Sequence, residues 1–152
     1  MTSLASVDGK NCNVLFDRGS AVSLISKKHF DYLDLKDKIQ ISECKQILSV
    51  DQSTVDVFGE IDVFLQFSNI NYPVKLLIVE NAVCEIILGR DWLNKNIIEI
   101  NYKNHIIKLL PPAKNTEQCC TVTNHDFFER FFRIGNTNST SHRISHFLKC
   151  RC

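Results

Sequence analysis

The chain has 152 residues, 44% of them hydrophobic, which suffices to bury the core of one modest domain. A net charge of +1 argues against a nucleic-acid binder working by bulk electrostatics, and no apolar run approaches the ~18 residues of a membrane-spanning helix. Seven cysteines, an odd number at irregular spacing, point to a reducing, cytoplasmic setting rather than a disulfide framework.

The first ten residues have neither a basic n-region nor an apolar h-region, so they do not read as a secretion signal. Beyond them the dominant period is two, which makes the chain mostly β. Val14, Leu15 and Phe16 form an apolar strand that runs into Asp17, and Gly19 lets the backbone turn into a second apolar run ending at Ile25. Ser26 can cap a short helix through Lys27 to Leu33. Val55, Val57, Ile61, Val63, Leu65 and Phe67 alternate with more polar residues, with a phase break at Phe58-Gly59 where a bulge is natural. A turn at Asn69-Ile70-Asn71 leads to a strand from Tyr72 to Val79, and Ile86 to Leu88 is a short, fully apolar strand. Asp91 to Lys95 follows a glycine as a short helix would, and Ile97 to Ile100 with His105 to Leu110 reads as a final hairpin. Cys12, Cys44 and Cys84 fall among apolar strand-like residues, where a thiol serves as a small hydrophobe.

Pro111-Pro112 closes the folded part, since two prolines in a row continue neither a ladder nor a helix. The resulting division is a domain over residues 1–112 and a flexible tail over 113–152, dispensable for folding and without an alternating pattern that adds a strand. The tail holds Cys119, Cys120, Cys150 and Cys152, three histidines, and a phenylalanine cluster (Phe127, Phe128, Phe131, Phe132) that suggests a short amphipathic helix. His142, His146 and Cys150 match no zinc-knuckle spacing, so no metal site is assigned.

Two segments carry the chemistry. Asp17-Arg18-Gly19-Ser20-Ala21 holds a carboxylate on a tight turn, and Ile86-Ile87-Leu88-Gly89-Arg90-Asp91-Trp92-Leu93 follows some seventy residues later. Together they resemble the retropepsin-like aspartic proteases, especially the protease domain of gypsy-type LTR retrotransposon polyproteins. There one apolar strand leads into Asp-Thr-Gly or Asp-Ser-Gly and a later one into Leu-Gly-x-Asp, with a flap hairpin between them. The resemblance covers residues 11–110.

It implies an all-β, retropepsin-like closed β-barrel, the single-lobed acid protease fold, with one or two short helices. It implies an aspartic endopeptidase that acts on polypeptide segments, with no cofactor and no metal. Aspartic protease chemistry needs two carboxylates sharing one proton across an attacking water. This chain has one Asp-x-Gly, so the site requires a homodimer with Asp17 from each subunit. By position, Gly19, Ser20 and Ala21, the flap residues Val50, Asp51, Gln52 and Ser53, and the floor residues Ile87 and Leu88 are the expected substrate contacts. Arg18, Gly89 and Arg90 are the expected support, while Trp92 and Leu93 read as core.

Three departures bear on activity. Arg18 stands where the family has Thr or Ser, whose hydroxyl bonds the opposite subunit beneath the two aspartates. A guanidinium has five donors, no acceptor and a permanent charge, so it cannot make that reciprocal bond, and two symmetry-related copies repel. The flap tip lacks the usual glycine, and Ala21-Val22 offers Arg90 no acidic partner. Two function classes therefore stand at this stage: a homodimeric endopeptidase weakened by Arg18, and a degenerate domain kept as a dimerisation or interaction module. A cellular retropepsin-like domain is a third.

Overall fold

The computed structural model describes residues 1–49, 51–112, 120–123 and 149–150. Strands β1 (Thr2–Val7), β2 (Lys10–Phe16), β3 (Leu24–Ser26), β4 (Gln46–Leu48), β5 (Thr54–Phe67), β6 (Ile70–Val79) and β7 (Ile86–Leu88) make the principal sheet. Helix α1 is Lys27–Leu33 and helix α2 is Arg90–Asn96. Strands β8 (Ile97–Asn101), β9 (Ile106–Leu109) and β10 (Cys120–Thr123) form a second sheet, and β11 is Lys149–Cys150.

Six strands run in the order β1-β2-β7-β3-β6-β5, and β5 returns to β1 through Ser6 and Gln66, which closes the barrel. β4 flanks β5 outside this ring and forms the flap hairpin with it, Leu48 opposite Thr54 and Gln46 opposite Asp56. The mostly β, closed-barrel reading thus holds, as do the two short helices. Ser26 caps α1, accepting the backbone N–H of His29 at 3.3 Å, and the register of β5 on β6 slips between Val57 and Gly59, where the phase break predicts a bulge.

The burial pattern explains which strands alternate. In β5, Ile61, Val63, Leu65 and Phe67 point inward while Asp62 and Phe64 face out. Leu76 to Val79 and Ile86 to Leu88 are buried throughout because they pass between two apolar clusters. Leu76, Ile78, Ile86 and Leu88 enter the main core, whereas Leu77, Val79 and Ile87 join Leu24 and the flap residue Ile47 in a smaller one. A strand covered on both faces has no polar side to alternate with.

Three local expectations change. Residues 2–7 form a strand that the sequence reading does not include; Asp8 (φ 49°) and Gly9 (φ 79°) turn it onto β2. The β5–β6 turn sits at Ser68-Asn69 rather than 69–71, because Ser68 takes the left-handed conformation (φ 54°) and Phe67 pairs directly with Ile70. The third lies in the tail: Cys120–Thr123 pairs antiparallel with β9, and Lys149–Cys150 pairs with β4. Thr121, Val122 and Thr123 are β-branched residues suited to a strand edge, a local preference stronger than the polar texture around them. The phenylalanine cluster and the tail histidines lie outside the described residues.

Candidate active site

The site is built where β2 and β7 lie side by side. They pair in parallel, Val14 to Ile86, Leu15 to Ile87 and Phe16 to Leu88, and β3 pairs antiparallel on the other edge of β7. Both strands end at the same level, so Asp17 and Gly89 are brought together: the Asp17 N–H donates to the Leu88 carbonyl at 3.0 Å.

Asp17 is half-buried at the head of a tight turn, and its Oδ1 accepts the Gly19 N–H at 2.8 Å. The Ser20 N–H returns to the Asp17 carbonyl at 3.2 Å. The carboxylate is thereby aimed by its own turn. Ser20 is fully buried, and its hydroxyl donates to the Val22 carbonyl at 2.6 Å rather than turning toward a carboxylate.

The turn is fastened to the start of α2. Arg90 N–H donates to the Ser20 carbonyl at 2.9 Å and Asp91 N–H to the Ala21 carbonyl at 3.3 Å. The Asp91 carboxylate accepts three bonds, from Ser23 N–H (3.0 Å), the Ser23 hydroxyl (2.7 Å) and Trp92 N–H (2.8 Å). Gly89 is required by contact: a Cβ there would lie 2.5 Å from the Val22 carbonyl carbon and nearer still to its oxygen. Its backbone (φ −90°, ψ −176°) is one that any residue can adopt, so the constraint is purely steric.

Beneath the turn, Phe16, Phe67, Tyr72 and Trp92 pack as an aromatic nest with centroids 5.7 to 6.5 Å apart, and the Trp92 indole N–H donates to the Pro73 carbonyl at 3.0 Å. Trp92 and Leu93 are core residues, as expected. Phe16 and Trp92 adjoin Asp17 and Asp91, so packing and hydrogen bonding fix the same two segments.

The other expected site residues divide by exposure. Leu88 is fully buried in the main core, because its strand is covered on both faces, so its side chain presents nothing to a bound peptide in this chain; Ile87 lies in the smaller cluster below the flap. Ala21 is half-buried beside the turn. Asp51, Gln52 and Ser53 are exposed at the flap tip, and Val50 lies outside the described residues. In place of the missing glycine, Gln52 itself takes a left-handed backbone (φ 66°), while Asp51 accepts both the Ser53 N–H (3.0 Å) and its hydroxyl (2.6 Å). Arg18 and Arg90 are exposed, and among the described residues neither guanidinium has an ion pair.

Sequence reasoning missed Ser23 and Asp91. An acceptor at the second position after Gly89 was visible as a helix-start signal, but its partner across the fold was not. No group of three or more potential metal ligands occurs among the described residues, and no helix there is long and apolar enough to cross a membrane.

A search of curated proteins finds no match. Among solved structures the chain is similar to the retroviral protease-like domain of Ddi1 from Leishmania major, at 13% identity and TM-score 0.61, covering 81% of this chain and 90% of that one. It is similar also to EIAV protease in complex with the inhibitor HBY-793, at 23% identity and TM-score 0.50, covering 62% of this chain and 85% of that one. These likenesses establish the fold, a retropepsin-like barrel. Residues 1–115 match the family described as retroviral aspartyl protease, and with three quarters of its length inside that match the chain belongs to this family.

Proposed function

We propose that the chain is the aspartic endopeptidase domain of a gypsy-type retroelement polyprotein, acting in the cytoplasm as a homodimer in which each subunit supplies Asp17. The observation that carries this reading is the half-buried Asp17 turn, stitched to Leu88 and to the start of α2. With two such turns face to face, the carboxylates share one proton. One takes a proton from water as it attacks the scissile carbonyl, and the other protonates the carbonyl oxygen. Gly19 gives substrate backbone a close approach, Ala21 lies beside it, and the flap tip at Asp51 to Ser53 covers the cleft. Cys12 and Cys84 are free thiols, which suits a reducing compartment.

Arg18 favours a second reading, a degenerate domain retained for dimerisation or interaction, because the residue beneath the two aspartates lacks an acceptor. Cleavage of a random peptide pool at mildly acidic pH, with and without pepstatin, separates the two. The protease reading requires pepstatin-sensitive cleavage whose specific activity rises with protein concentration and disappears in Asp17→Asn. No cleavage at any concentration, or cleavage that survives Asp17→Asn, refutes it.

A further inference from the structure

We infer that Ser23 and Asp91 form a positioning clamp for the Asp17 turn, a role that rests on the protease reading of Asp17. Neither side chain needs to touch a substrate. The segment from Asp17 to Ser23 leaves β2 and has no strand partner until β3 begins, so its shape depends on the backbone bonds from Arg90 and Asp91 along it and on what grips its two ends. At the Asp17 end the grip is backbone, through Leu88. At the other end it is Ser23, 1% exposed, whose hydroxyl works in both directions: it donates to Asp91 Oδ1 at 2.7 Å and accepts the Gly89 N–H at 3.0 Å. Asp91 Oδ2 takes the Ser23 N–H, so a single carboxylate holds both donors of Ser23 while its Oδ1 also caps the first turn of α2 through Trp92.

The arrangement admits few replacements. All three groups aimed at Asp91 are donors, so both of its oxygens must accept. Asparagine would turn its NH₂ toward at least one of them. Alanine at 23 would strand the Gly89 N–H at the point where Gly89 already touches the Val22 backbone, leaving no room for a compensating shift. Residues 20–23 and 89–92 therefore move as one unit, and Asp17, tied to Gly19 within the same turn, points where that unit directs it. The alternative is a purely local one, in which Asp91 serves only as an acidic residue in the first turn of α2.

The test uses the full chain with Ser23→Ala, Asp91→Asn and the double variant, reading peptide cleavage alongside the amide resonance of Gly19, which reports the Asp17 Oδ1 bond directly. A clamp predicts a displaced Gly19 amide in both single variants. It also predicts a kcat lower by about tenfold with KM within about twofold of wild type, since displacement of a catalytic group is felt at the chemical step. The double variant should be no worse than the worse single one, because the two residues act as one unit. If either folded variant lowers the melting temperature but leaves the Gly19 amide and kcat at wild-type values, the role is local and the clamp is refuted. The Gly19 resonance decides the clamp even if the wild type cleaves nothing, an outcome that would instead overturn the protease reading.

Discussion

Gly89→Ala isolates the contact that holds the candidate site together. The backbone at 89 accepts any residue, so the whole effect comes from the added methyl meeting Val22. Contacts from a Cβ are essentially never under 3.0 Å, whereas this one would start 2.5 Å from the Val22 carbonyl carbon, and the obstacle is backbone rather than a side chain that can rotate away. Separating the two segments stretches the bonds from Arg90 to Ser20, from Asp91 to Ala21 and from Gly89 to the Ser23 hydroxyl. Loss of two or three at about 1 kcal/mol each gives about 2–3 kcal/mol. Reduced freedom of the unfolded chain returns about 0.4–1 kcal/mol. The net destabilisation is therefore about 1–3 kcal/mol, and for a domain of this size that lowers Tm by roughly 4–12 °C. Urea unfolding followed by circular dichroism should show a lower midpoint with an unchanged slope. A Gly89→Ala variant within about 0.5 kcal/mol of wild type, the range of an ordinary surface change, would refute the close approach of the Asp17 turn to α2.

Arg18→Thr should tighten dimerisation and raise peptidase activity by about tenfold or more, because it removes two like charges from a closed interface and supplies a hydroxyl able to bond across it; sedimentation and cleavage rates both unchanged would mean that Arg18 faces solvent in the dimer as it does in the single chain. Gln52→Gly should relieve about 1 kcal/mol of left-handed strain at the flap tip while loosening the flap, read as a higher midpoint or faster hydrogen exchange over 49–53, and neither change would contradict the positive φ. His29 is buried beside Tyr32, and burial lowers its pKa below the ordinary 6.5, with Glu85 opposing the shift. The unfolded chain then binds the extra proton first, so stability holds above about pH 6.5 and declines as pH falls below it. The carboxylates Glu60 and Asp31, held low by hydrogen bonds from Lys75 and Lys27, add their loss only below their ordinary values near 4. Unfolding free energies at pH 7.5, 6.5 and 5.5 should fall in wild type and stay level in His29→Gln; equal slopes would remove His29 as the cause.

What the sequence made legible was whatever a local pattern can encode. Alternation in Ile61 to Phe67, the Ser26 cap and the bulge at Phe58-Gly59 each follow from a few neighbouring residues. The Asp17 turn and the Gly89 segment were legible as a pair only through their family resemblance, since nothing local says that they touch. Ser23 to Asp91 was not legible for the same reason: a serine and an aspartate at that separation have no sequence signature, and only the β2-β7-β3 order brings them together. Residues 2–7 escaped because the inward side chains Ser3, Ala5 and Val7 are small while Leu4 faces out, so that hydrophobicity does not mark the strand.

The parallel pairing of β2 with β7 also dictates when the half-site can exist. Asn13 and Glu85 at the head of that pairing lie 72 residues apart, and a parallel pair of this kind cannot zip up from a neighbouring turn. During synthesis the Asp17 segment leaves the ribosome well before the carbonyl of Leu88 and the carboxylate of Asp91 that shape it, which arrive only after strands β3 to β6 have emerged. A nascent or prematurely ended chain that stops short of α2 thus carries Asp17 without an organised turn. The half-site is made late, by the strand that fits between β2 and β3.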